Sequence, residues 1–164
     1  WVRPASLDTG SGGNRIVFCL NRDGDGMDLV CHADGRLRLA VNQWPDGIRN
    51  DSSPGRLVVG KWSFFAVTYD AGRPQDNVSW YFSPPLDAPG AAEVALDVRT
   101  TYHNGPVGTD LRDLAIGNFN RTMHGHGFDR QFRGDIRGLQ IFGSRVTGRG
   151  TMSLDEIRSG VALP

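Results

Sequence analysis

A short acidic stretch near the N-terminal end of the sequence, residues 21–28, has oxygen-bearing side chains at alternate positions. This spacing superficially resembles a calcium-binding loop, in which oxygen ligands alternate and a glycine permits a sharp turn. The last ligand position of such a loop falls on His32, where a bidentate Glu is required. The stretch therefore has two interpretations. It is an Asp-Gly hairpin turn, or Asp23, Asp25 and Asp28 help to hold one structural calcium ion.

The segment 120–130 is the most unusual in the chain, because it combines two His, two Arg, one Phe and two flexible glycines. We predict a long surface loop, and long loops in compact domains are disproportionately functional. The His pair has the spacing to chelate a transition metal, but no third ligand lies nearby in sequence. Contact with a sugar or an acidic ligand is favoured, and a solvated loop without a ligand is the alternative. The candidate binding residues are Arg121, His124, His126 and Arg130.

Three of the four tryptophans divide into two groups. Trp62 and Trp80 stand in apolar runs and are predicted to be core residues. Trp44 stands in the stretch 42–55, which contains Pro and Gly. Its ring is predicted either to stack on a sugar face, which makes it a fifth candidate binding residue, or to pin the loop to the body of the domain.

Paired carboxylates for glycoside hydrolysis are not evident in the sequence. The only two glutamates, Glu93 and Glu156, lie far apart, although folding can still bring two Asp together. No nucleophile elbow or phosphate-binding glycine loop occurs either. We therefore predict that the protein is not an enzyme.

The formal net charge is +0, from 18 basic and 18 acidic residues. This balance argues against a nucleic-acid partner, because such domains are usually strongly basic. Lys61 is the only lysine, so nearly all the basic residues are arginines. That bias reflects either a GC-rich genome or a site for an acidic glycan, since the planar arginine fork matches carboxylate and sulfate. No stretch is apolar over the length needed to cross a bilayer, so we expect no membrane insertion.

Several runs alternate between apolar and polar residues with the period of a half-buried strand, namely 15–21, 36–42 and 93–99. The runs 62–69 and 78–82 are apolar on both faces, which predicts strands inside a sheet with cover on each side. These strands form the centre of the predicted fold.

Turn and helix signals complete the prediction. Dipeptides that tolerate positive φ angles separate the strands: Asp25-Gly26, Asp34-Gly35 and Asn104-Gly105. A capping box at Ser153 and Glu156 predicts a helix of about two turns that ends at Gly160. We therefore predict an all-β fold in one domain, residues 1–164: an antiparallel two-sheet β-sandwich of jellyroll type with one short C-terminal helix.

Two cysteines flank the first predicted turn. Cys19 and Cys31 are equidistant in sequence from Asp25, so a regular hairpin centred there places them opposite each other within bridging reach. A cross-strand disulfide is one prediction, and it fits a secreted domain. Two buried free thiols are the alternative, because cysteine is commonly buried and sequence alone does not fix pairing.

Four segments follow one another in the order found in laminin-G-like, or concanavalin-A-like, jellyroll domains. The chain resembles this family in a central strand with Trp before an alternating run that ends in Thr-Tyr-Asp, a strand before the variable loop, a last long strand and a closing helix. These segments are 61–70, 114–118, 132–142 and 153–157. Family members commonly carry Asp-Glu, which helps to hold calcium, where this chain has Arg137 and Gly138. A bulge is expected at Gly138.

This resemblance implies a non-catalytic carbohydrate-binding module that recognises a polysaccharide, including an acidic one. The chain begins at Trp1 without an initiator Met, so we expect a monomeric domain covalently linked to neighbouring domains of a larger secreted or cell-surface protein. A protein-interaction or adhesion domain of laminin-G type and a structural spacer are the alternatives.

Overall fold

The computed structural model describes residues 1–9, 13–21, 23–43, 50–108, 113–119, 130–144 and 151–160. Within these ranges the chain forms nine strands and one helix, which confirms the all-β prediction with a short C-terminal helix. The strands are β1 (Val2–Pro4), β2 (Asn14–Phe18), β3 (Met27–Cys31), β4 (Leu37–Val41), β5 (Phe65–Tyr69), β6 (Val78–Phe82), β7 (Ala95–Thr100), β8 (Ala115–Ile116) and β9 (Gly134–Ile136). The helix is α1 (Leu154–Gly160).

The strands form three antiparallel sheets. A four-stranded sheet has the order β4-β3-β2-β8, a three-stranded sheet has the order β5-β6-β7, and β1 pairs with β9. The two larger sheets share one apolar core, as the layers of a β-sandwich do. The jellyroll ordering of the strands stays a prediction.

The core follows from the alternation of apolar residues along the strands. On β4, Leu37, Leu39 and Val41 enter the core, as the run 36–42 predicted. Trp80 is fully buried at the centre of the three-stranded sheet. Trp62 is 9% exposed and forms an isolated β-bridge with Leu86. Both tryptophans are therefore core residues, as predicted.

A bulge in the pairing of β6 with β7 changes which side chains of β7 point toward the core. Trp80 lies opposite Val98, whereas the next residue, Tyr81, lies opposite Leu96. Asp97 is skipped in this register, and its carboxylate accepts hydrogen bonds from the main chain and side chains of the segment before β5. The alternation of the run 93–99 predicts that Leu96 and Val98 share one face of the strand, and this prediction is wrong. Leu96 is 39% exposed.

Two expectations about the centre of the fold are corrected. The central strand of the three-stranded sheet is β6, and among the described strands β5 lies at the edge. The predicted last long strand is reduced to β9, and residues 139–142 are not part of a described strand. Gly138 has a φ of +63°, which turns the chain after β9. The prediction that β5 lies inside a sheet is thus wrong for the described strands.

The predicted capping box is confirmed at the start of α1. The Ser153 N–H donates to Glu156 Oε2 at 2.7 Å, and the Glu156 N–H donates to Ser153 Oγ at 3.3 Å. Ile157 buries itself against Tyr81 and Val94, which places α1 over the outward face of the three-stranded sheet. No helix in the described ranges is long and apolar enough to span a bilayer.

Cys19 and Cys31 are free and buried, so the disulfide prediction is wrong. In the register of β2 with β3, Cys31 lies opposite Asn14, and the Cys19 N–H donates to the Met27 carbonyl. Met27 and Cys31 are four residues apart along β3, so Cys31 lies about 13 Å from the level of Cys19. That separation exceeds the Cα distance that a disulfide bridges, which is roughly 7 Å at most. Burial also raises the pKa of Cys31 to about 12.

Candidate functional site

The two flanks of the segment 120–129 both contact β2, one on the outward face of the four-stranded sheet and the other at the edge of the strand. The Phe119 ring stacks over the Arg15 guanidinium, with 4.3 Å between the guanidinium carbon and the ring centroid. The same ring meets Phe18 edge to face at 4.9 Å. On the other flank, the Arg130 carbonyl accepts a hydrogen bond from the Arg15 N–H at 2.9 Å. Arg15 therefore fixes the two points between which the segment runs.

Arg15 forms a buried ion pair with Asp28 on the neighbouring strand. Arg15 Nη2 and Nε lie 3.1 Å and 3.2 Å from Asp28 Oδ2. The side chains are 2% and 0% exposed. Arg15 Nη1 also donates to the Gly13 carbonyl at 3.0 Å. An ion pair so fully removed from water holds its partners in one geometry, because an unpaired charge there is strongly unfavourable.

The Asp28 carboxyl has an altered acidity. Burial raises its pKa from 3.8 to about 6, against the opposing effect of the Arg15 and Arg130 charges. Its second oxygen, Oδ1, has no hydrogen-bond partner within the part of the chain that the structure describes. The carboxyl therefore retains a proton at a higher pH than an exposed aspartate does.

We predict a pH dependence of stability from this carboxyl. Because the folded pKa of about 6 lies above the ordinary value of 3.8, the folded state binds the proton more tightly than the unfolded state. The contribution of Asp28 to the free energy of unfolding is therefore fully present below pH 3.8 and is lost as the pH rises through about 6. Urea unfolding from pH 4 to 7 measures this slope. The Asp28→Asn variant, which does not titrate, should lack it, and an equal slope in both proteins would contradict the assignment.

The three calcium candidates are not brought together. Asn21 Oδ1 accepts hydrogen bonds from the N–H groups of Asp23 and Asp25, each at 2.9 Å, so this stretch forms a tight turn. Asp23 and Asp25 are exposed in the turn, whereas Asp28 is buried against Arg15. In the described ranges no group of three or more His, Cys, Asp or Glu side chains is placed to hold a metal ion. The geometry thus supports the hairpin interpretation of this stretch.

Asn42 joins the loops at one end of the sandwich. Its side-chain oxygen accepts hydrogen bonds from the N–H groups of Gly26 and Gly108 at 3.1 Å and 2.8 Å. Its amide nitrogen donates to the carbonyls of Asn104 and Pro106 at 2.9 Å and 2.7 Å. Asn42 has a φ of +51°, which asparagine tolerates better than most residues. The chain that leads to the stretch around Trp44 therefore starts from a fixed point.

Most of the candidate binding residues, Trp44, Arg121, His124 and His126, lie outside the described residues. Arg130 is described and is half-buried, close enough to Asp28 to lower the pKa of that carboxyl. The sequence interpretation missed the Arg15–Asp28 pair, since Asp28 was assigned to the acidic stretch. A signal was present, because each residue is a lone charge beside the apolar residues of a strand.

No protein-family model, curated protein or solved structure matches this chain.

Proposed function

We propose that this chain is a non-catalytic carbohydrate-binding module of a secreted or cell-surface protein, and that it recognises a polysaccharide with the segment 120–129 and the stretch around Trp44. The observation that carries the proposal is the anchoring of both flanks of that segment on Arg15. A ligand-binding loop loses less entropy on binding when its ends are fixed beforehand.

The residue types in the two segments support a sugar ligand. Indole rings stack on the apolar faces of sugars, and Arg and His side chains donate hydrogen bonds to hydroxyl and carboxylate oxygens. Asn42 supports the second segment in the same way that Arg15 supports the first, because it holds the chain two residues before Trp44. We propose that the two segments contact one glycan together.

Acidic polysaccharides are the preferred class within this proposal. The Arg15 charge is paired with Asp28, whereas no ion pair with Arg130 lies among those that the structure describes. With Arg121 and the two histidines, Arg130 gives the segment 120–130 four side chains that can donate to carboxylate or sulfate groups. Binding to such a ligand should weaken as salt increases, because salt screens exposed charges.

We predict that replacing Trp44, Arg121, His124 and Arg130 together by Ala lowers glycan affinity by about 100-fold or more, since aromatic and arginine contacts carry most of the energy in such sites. A glycan array with neutral and acidic polysaccharides identifies the probe, and titration calorimetry measures the affinity. The matched control is Arg73→Ala, an exposed arginine in the turn between β5 and β6, which should bind as the parent does.

Thermal melting of each variant separates loss of binding from loss of fold. A quadruple variant that is folded and binds as tightly as the parent would place the site elsewhere. An array on which the parent protein binds no glycan would contradict the proposed function as a whole.

A further inference from the structure

Strand β1 lies between two neighbours and pairs with both. Val2 and Ser63 exchange two main-chain hydrogen bonds, of 3.0 Å and 2.9 Å, in an antiparallel bridge. On its other side β1 pairs with β9, and this pairing extends to Trp1 and Arg137, whose main-chain nitrogens each donate to the other's carbonyl at 2.9 Å. The position of β1 is therefore an interior one.

β1 begins at Val2, and no described strand continues its line alongside β5. The Ser83 N–H donates to the Phe64 carbonyl, so in this antiparallel ladder alternate residues of β5 bond to β6. The N–H and C=O groups of Phe65, Val67 and Tyr69 consequently point to the opposite edge. On that side β5 pairs with no other strand of the described three-stranded sheet.

A cleft of about 1240 Å³ runs along this edge, and we call it the β5 cleft. One wall is the inward face of the four-stranded sheet, with Met27, Leu29 and Leu39. The opposite wall includes Met152 of the segment before α1. Residues 138–142 line the far side, where Ile141 and Phe142 are 53% and 60% exposed. The cleft thus has apolar walls on both faces, and the main chain along one of its edges pairs with no described strand.

We propose that the β5 cleft holds one further extended β-strand, joined to the chain through the amino group of Trp1 and continuing the line of β1 between β5 and residues 138–142. The register supports this occupant. Each residue added before Trp1 advances by one position along β5, so about five residues span 65–69. Residues 138–142, beyond the turn at Gly138, flank the other edge of the cleft.

The apolar lining of the cleft indicates which side chains the added strand carries. Because both walls are apolar, a fitting strand is apolar on both faces, as interior strands are. The environment of the Trp1 nitrogen is compatible with this strand. Burial lowers its pKa, because a charged ammonium is disfavoured at the apolar mouth of the cleft. Acylation of that nitrogen by a preceding residue removes the charge and keeps the N–H that donates to the Arg137 carbonyl.

The test compares two forms of the full chain, each extended before Trp1 by five residues. One extension alternates Val and Thr with Ile at its centre, and the other has Pro in place of the central Ile, which removes a donor and disfavours an interior strand. We expect the amide protons of Phe65, Val67 and Tyr69 to exchange about tenfold or more slowly in the first form, measured by NMR, because pairing closes that edge. The amide of Trp80, inside the sheet, is the internal reference for global stability.

Equal exchange at these three amides in both forms would overturn the proposal. A free peptide of the first sequence that protects them equally, or a dimer of the first form by size exclusion, would also overturn it, because the strand would then come from a separate chain. Glycan binding tests the segment 120–129 and the stretch around Trp44, so its outcome is independent of this one.

Discussion

Replacing Trp80 with Ala is expected to lower the free energy of unfolding by about 3 to 5 kcal/mol, the usual loss for a large buried aromatic residue. Trp80 is fully buried, lies in the central strand of the three-stranded sheet and stacks on Phe82 with 6.3 Å between ring centroids. Truncation leaves a cavity between the two sheets that a strand paired on both sides cannot collapse to fill. Urea unfolding followed by circular dichroism measures the loss.

The Trp80→Phe variant is the matched control for this prediction. Trp80 Nε1 has no hydrogen-bond partner in the described part of the chain, so the indole N–H contributes a desolvation cost and no bond. Phenylalanine removes that donor and keeps most of the ring, so its loss should be clearly smaller than that of Ala. An Ala variant as stable as the parent would contradict the core assignment, and equal losses for Phe and Ala would show that the ring volume is not what matters.

Local signals predicted the secondary structure well. The capping box at Ser153 depends only on residues three apart, and the alternation along β4 depends only on which side chains share a face. Both follow from the geometry of a single element. The all-β fold class and the C-terminal helix were therefore predictable from the sequence.

Register was not predictable in the same way. A symmetric hairpin about Asp25 would have placed Cys19 opposite Cys31, but the tight turn held by Asn21 shifts the pairing so that Cys31 meets Asn14. The bulge that turns Leu96 outward depends in the same way on its partner strand β6. Periodicity in one strand does not report an extra residue opposite another strand.

The candidate site combines both kinds of information. Residue types identified the segment 120–130, but its anchor depends on contacts that are remote in sequence, from Arg15 to Phe119 and Arg130. Arg15 and Asp28 are 13 residues apart and meet only because β2 and β3 pair in one register. A lone charge in an apolar strand indicates that each residue needs a buried partner, but sequence spacing does not show that these two residues pair with each other.

Breaking this ion pair is the second change with a large expected effect. We expect Arg15→Met or Asp28→Ala alone to lower the free energy of unfolding at neutral pH by about 3 to 5 kcal/mol, because each leaves the partner's charge buried and unpaired. Arg15→Met also removes the guanidinium over which Phe119 stacks. It should therefore reduce glycan affinity in the folded protein, whereas Asp28→Ala keeps that stack. Urea unfolding and calorimetry on the same samples separate the two effects.

The double variant Arg15→Met with Asp28→Leu decides whether the loss comes from the unpaired charge or from packing. When both charges are replaced by apolar groups of similar volume, no desolvated charge remains, and such replacements are often neutral or stabilising. We therefore expect the double variant to unfold at a urea concentration close to that of the parent, so that the losses of two single variants are strongly non-additive. Additive losses would show that each side chain stabilises the sheet through its own contacts. In that case the pair is a packing element, and Arg15 contacts the flanks of the segment 120–129 through its stack on Phe119 and its main-chain N–H.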